Sequence, residues 1–113
     1  VVSSTFGGEA LSIAASIKTI EIYRRDNVIN HFWEMGKYLW DNANQMFEKY
    51  KLPIKVVGNY PCPSFTGDMV GAFISKAYEF GVSLYGVSYI NFSHKKADVD
   101  MVLEAFEKTC GAL

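Results

Sequence analysis

The sequence predicts an α+β fold, a small and mainly antiparallel sheet with helices packed on it. Three observations carry this. Two long segments at the front of the chain repeat apolar residues at helical spacing. Short runs rich in β-formers, bounded by glycine and proline, come only after them. A last periodic helix closes the chain. The 113 residues are enough for one domain with a core, and a composition that is 50% hydrophobic argues for a folded domain rather than disorder.

The first stretch, Ser3-Ser4-Thr5-Phe6-Gly7-Gly8-Glu9-Ala10-Leu11, places hydroxyls, glycines and a carboxylate ahead of an apolar helix. It supports two readings. Ser4 or Thr5 caps the helix, with the glycines making a turn. Alternatively the stretch is an anion site, because a helix start offers unpaired N–H groups and a positive dipole end. It is not a P-loop, lacking the second spaced glycine and the Lys-Ser/Thr pair, and no strand precedes it as a dinucleotide fingerprint requires.

Glu9–Tyr23 reads as the first helix, with Ala10, Ile13, Ile17 and Ile20 on one face. Its first two turns are apolar nearly all round, which predicts burial against more than one partner. Arg24 and Arg25 suit its C-terminal end. Asp26-Asn27 break the pattern, and Val28–Tyr50 is the longest periodic segment. Its stripe is Ile29, Phe32, Gly36, Leu39, Trp40, Ala43, Phe47 and Tyr50. A glycine in mid-helix costs up to about 1 kcal/mol relative to alanine, so Gly36 predicts close packing. His31 and Trp33 lie off the stripe, and His31 reads as a surface or contact residue rather than a ligand. Leu52-Pro53 ends the helix.

Ile54–Gly58 reads as a strand, and Tyr60–Phe65, with Pro61 and Pro63, as an edge or extended loop. Thr66-Gly67-Asp68 is a turn with Asp68 as the expected N-cap of a helix over Met69–Phe80, whose inward residues are Val70, Phe73, Ile74 and Ala77. Gly81 sits where a helix-terminating glycine belongs. Val82–Tyr85 and Ser88–Phe92 read as two strands of a hairpin turning at Gly86-Val87. The final helix, Ala97–Cys110, directs Val99, Val102, Leu103, Phe106 and Cys110 inward, with Asp98 and Asp100 in its first turn and Gly111 as a stop.

Net charge is −1 and the only adjacent basic pairs are Arg24-Arg25 and Lys95-Lys96, which excludes an obvious nucleic-acid face. No apolar run reaches the length of a membrane span, and no basic region leads into an apolar one at Val1, so no signal peptide is expected. Cys62 and Cys110 are far apart and have no metal-ligand spacing, so no metal is expected and a reducing, cytoplasmic setting is the default. The chain opens directly on its most informative stretch without a methionine, which leads to the expectation of a domain cut from a longer protein.

Several of these residues carry a family resemblance. The stretch Ser3–Leu11 opening an alanine-rich helix resembles the motif that begins the C-terminal part of class III pyridoxal-phosphate-dependent aminotransferases, and within them the branch of glutamate-1-semialdehyde aminomutase and related sugar-pathway aminotransferases. Tyr78-Glu79-Phe80-Gly81-Val82, Ser88-Tyr89-Ile90-Asn91-Phe92-Ser93-His94, Ala97-Asp98-Val99-Asp100 and Leu103-Glu104-Ala105 are similar to the family's closing pattern. The resemblance implies a fold-type I homodimer with its active site at the subunit interface, a pyridoxal 5'-phosphate cofactor and a small-molecule substrate. It implies that Thr5, and second to it Ser4, reach the cofactor phosphate of the neighbouring subunit. It also implies that the Schiff-base lysine and the aspartate on the pyridine nitrogen belong to a large domain upstream, since no lysine here matches, so this chain alone is expected to be inactive.

Departures are plain. Ala10 stands where many relatives have proline, and Lys95 stands where a threonine often caps the last helix. Arg24 and Arg25 lie at a helix end and do not match a substrate-carboxylate arginine. A different class remains open: a free-standing interaction module that dimerises through Trp33, Trp40 or Tyr50. A lone phosphate-ligand binder built on Ser4, Thr5, Gly7 and Gly8 is a third. His94 reads as a turn residue before an acid–base one, because no carboxylate or nucleophile lies beside it. Tyr60 and Tyr85 are candidates for a pocket wall.

Overall fold

The computed structural model describes Thr5 and residues 7–113. Six elements follow in order: α1 (Ala10–Arg25), α2 (Val28–Lys49), β1 (Lys55–Asn59), β2 (Cys62–Thr66), α3 (Val70–Glu79) and α4 (Lys96–Gly111). The chain divides into two compact units, Val1–Asn30 and His31–Leu113.

In the first unit, α1 is capped by Glu9 and has no buried residue. Leu11, Ile13, Ile17 and Ile20, the residues expected to be covered, are all about half exposed or more, Leu11 at 76%. The left-handed Asn27 (φ 52°) separates α1 from α2.

The second unit holds the core. Leu39, Trp40, Ala43 and Phe47 of α2 are buried where the stripe predicts them. They meet Phe65 of β2, Phe73 of α3 and Phe106 of α4. Phe73 stands edge-on to Phe47 and Phe106, with ring centroids 4.9 and 5.1 Å away. Edge-to-face rings pair a positive edge with a negative face, adding to the area term. Val99, Leu103 and Cys110 complete the inner face of α4.

Gly36 is the point of closest approach. A Cβ there would collide with the Tyr60 carbonyl oxygen, which also accepts a hydrogen bond from Trp40 Nε1–H at 3.0 Å. The glycine therefore lets α2 lie against the β1–β2 turn.

β1 and β2 pair antiparallel, Lys55 opposite Thr66 through Asn59 opposite Cys62. Pro63 is buried within β2, not in a loop. Its carbonyl accepts from Ser88 N–H on the side away from β1, so its missing N–H also lies on that side and the β1 ladder loses nothing. On the far edge of β1, the Asn44 amide accepts from Val56 N–H at 2.8 Å and donates to Val56 C=O at 3.1 Å. One side chain thereby pairs both backbone groups of Val56 on that sheet edge.

Three local expectations are corrected. Asp68 does not cap α3: Met69 holds that position with no side-chain bond. The preceding Gly67 has φ 121°, and a Cβ there would collide with the Pro53 carbonyl, so the turn is set by backbone approach rather than by a cap. The hairpin over 82–92 does not form. Residues 86–90 lie instead along β2, through Phe65 N–H to Gly86 C=O and Ser88 N–H to Pro63 C=O, with one bridge at Val87–Ser64. β2 presents its second hydrogen-bonding edge to this segment, and pairing there takes the place of the local hairpin. Finally, α4 runs through Gly111 rather than stopping before it.

Candidate functional site

The entry to α1 is built by Glu9. Its Oε1 accepts from Leu11 N–H at 2.8 Å, and its Oε2 accepts from Ser12 N–H at 2.6 Å and from the Ser12 hydroxyl at 2.7 Å. The Ser12 hydroxyl, then the Ser12 and Leu11 amides, hold this carboxyl below its ordinary value. The capping expected of Ser4 or Thr5 is thus done by Glu9, whose longer side chain folds back over the first turn. The helix end already carries an anion of its own, so an incoming phosphate would meet a carboxylate there. The donors left for a phosphate lie upstream, in the exposed turn that includes Thr5, Gly7 and Gly8. Ser4 lies outside the described residues.

A cleft of about 320 Å³ opens in the second unit. Leu39 and Trp40 of α2 and Val99 and Val102 of α4 form its apolar floor, and residues 82–85 and 87–90 its walls. Tyr85 stands in it, 79% exposed, whereas Tyr60 does not line it and donates instead to Asp41 at 3.1 Å. Periodicity could not have found this cleft, whose lining joins residues from α2, 82–90 and α4.

His94 borders the cleft as part of a turn. Its N–H donates to the Asn91 carbonyl at 3.2 Å, and its ring bonds the Asn91 amide groups. His31 Nε2 lies 2.8 Å from the His94 carbonyl, and its ring stands edge-on to Phe92. Both histidines brace the approach to α4, as a turn role for His94 requires. The α4 start has half of a capping box, Lys95 N–H to the Asp98 carboxylate at 2.8 Å, and the lysine itself contributes no cap.

Several lysines are tied to carboxylates. Lys37, Lys49 and Lys96 are raised above the ordinary lysine value by hydrogen bonds to Asp41, Glu107 and Asp100. A nucleophilic lysine needs the opposite shift, and no lysine lines the cleft. Arg25 is held at the end of α1 by both oxygens of Asp26, each at 2.7 Å. Among the described residues no group of histidine, cysteine and carboxylate side chains is placed to hold a metal. No helix among them is long and apolar enough to cross a membrane.

No protein-family model matches the chain. Glutamate-1-semialdehyde 2,1-aminomutase of Methanothrix thermoacetophila is 30% identical over 93% of the chain, and 3-aminobutyryl-CoA aminotransferase of Cloacimonas acidaminovorans is 26% identical over 95%. The chain spans 29% and 28% of their lengths. The solved FumI protein of Sphingopyxis sp. MTA144, in its PLP internal aldimine form, superposes with TM-score 0.86 over 99% of this chain and 29% of its own, at 21% identity. The fold is that of the C-terminal domain of a fold-type I pyridoxal-phosphate transferase. The chain is homologous to the aminotransferases and aminomutases of that superfamily.

Proposed function

We propose that the chain is the C-terminal part of a class III aminotransferase or aminomutase, in the glutamate-1-semialdehyde aminomutase branch, that works as a homodimer on an amino acid, semialdehyde or keto-sugar. The observation that carries this reading is the likeness to the Methanothrix aminomutase along 93% of the chain. The Thr5 hydroxyl, exposed in its turn, is of the right chemistry to donate to a cofactor phosphate, with Ser4 beside it in sequence. The fit ends there: the chain offers a phosphate contact and a stretch of substrate wall, and no amine to carry the cofactor. When bound, pyridoxal phosphate supplies an electron sink for the substrate carbon that bears the amine. The role of this chain is to hold the phosphate of the neighbouring subunit in place and to form part of the substrate wall.

The test is cofactor dissociation from the full-length protein. A hydrogen bond to a charged group contributes about 1.5–3 kcal/mol, so Thr5→Ala weakens cofactor binding roughly 10- to 100-fold, and Thr5→Ser retains most of it. Equal dissociation constants for the parent and Thr5→Ala proteins refute the assignment. The second reading, a free-standing interaction module, draws on the exposed apolar face of α1 and the absence of a suitable lysine. Trp40 is buried and unavailable for dimerisation, which leaves Trp33, 45% exposed, and the half-buried Tyr50. A native gene product no longer than 113 residues would favour that module.

A further inference from the structure

The hydrogen bonds of residues 86–90 are used on one side only. Gly86 C=O accepts from Phe65 at 2.8 Å, and Ser88 and Ile90 N–H donate to Pro63 and Pro61 at 3.2 and 3.0 Å. In an extended chain the backbone groups alternate sides, so those of Val87 and Tyr89 point away from β2. They have no backbone partner among the described residues. Val82–Tyr85, which the sequence assigns to that edge, makes no backbone–backbone hydrogen bond to it; the one contact is the Ser88 hydroxyl donating to the Tyr85 carbonyl at 3.3 Å. The segment is extended, unpaired on one edge and bears exposed apolar side chains, Val87 at 42% and Tyr89 at 70%, with Tyr85 just before it at 79%. No charge or proline between Val82 and Phe92 protects it from pairing.

Backbone donors and acceptors at strand spacing beside an apolar cleft are matched by a single kind of occupant, another extended backbone with apolar side chains. We propose that residues 86–90 are the docking edge for one further strand, supplied in the same polypeptide by a segment outside residues 1–113, which pairs with Val87 and Tyr89 and lays side chains into the cleft. This rests on the reading that the chain is part of a longer enzyme, as its 29% span of the aminomutase suggests. A cleft of about 320 Å³ has room for the side chains of one strand.

Hydrogen exchange on the full-length protein tests this. The Val87 and Tyr89 amides are expected to exchange at least about 100-fold more slowly than unstructured amides, as paired strand amides do. Exchange near the unstructured rate overturns the proposal. A photo-crosslinker on Tyr85→Cys, in a Cys62→Ser background, identifies the strand's source. Crosslinks within one polypeptide to a segment outside residues 1–113 are the expected result, and crosslinks between subunits overturn it. The Thr5 result is independent: fast exchange leaves the phosphate contact standing, and unchanged cofactor binding in Thr5→Ala leaves the edge standing.

Discussion

Gly36→Ala is the sharpest test of how the second unit is packed. Alanine gains up to about 1 kcal/mol of helix propensity over glycine. Against this stands the new Cβ, which collides with the Tyr60 carbonyl carbon and oxygen. The nearest atoms are backbone rather than a flexible side-chain end, so the β1–β2 turn or α2 must move. Overpacking of this kind costs about 1–3 kcal/mol. Displacing the Tyr60 carbonyl also weakens its bond from Trp40 Nε1–H, worth about 0.5–1.5 kcal/mol net. The sum is a net loss of roughly 1–3 kcal/mol. Gly71 of α3 is the control: a Cβ there meets nothing within 4 Å, so Gly71→Ala gains only the propensity term and raises stability by up to about 1 kcal/mol. Urea unfolding followed by Trp40 fluorescence, in a Trp33→Phe background, reads both midpoints. A Gly36→Ala protein as stable as the parent, while Gly71→Ala gains stability, would refute the close approach of α2 to Tyr60.

Two other outcomes follow from single contacts. Asn44→Ala leaves both backbone groups of Val56 without a partner at a residue only 6% exposed, and lowers the urea midpoint by the equivalent of about 1–3 kcal/mol; an unchanged midpoint would show that water replaces the amide. Burial pushes the Cys110 thiol up to about 11, whereas Cys62 is exposed, so one thiol reacts with a disulfide reagent at pH 8 in the folded protein and the second only in denaturant. Two equally fast thiols would contradict the burial of the α4 inner face.

The helices were legible because their signal is local. Phe47, Phe73, Leu103 and Phe106 each recur at three-four spacing within one segment, and each is buried as the spacing requires. Gly36 signalled a close approach by its position alone, although only the fold shows that its neighbour is Tyr60. Thr5 and Ser4 were legible only as residue types in a familiar order. Among the described residues no site is assembled around Thr5: the turn is exposed and the α1 end is already occupied by Glu9.

What the sequence alone determined is therefore the placement of the helices, the core stripe from Leu39 to Phe47 (Ile29 at its start is 51% exposed) and the kinship with pyridoxal-phosphate enzymes. The tertiary structure decided the strand partners, the caps and the cleft. Gly86-Val87 carries a valid hairpin signal, yet Ser88 and Ile90 donate to Pro63 and Pro61 instead. Strand pairing joins residues far apart in the chain and is settled by whichever edge is open, which no local pattern encodes. Glu9 displaced the hydroxyl caps for a related reason: several side chains near a helix start can satisfy the same N–H groups, and the backbone path of the folded chain selects among them.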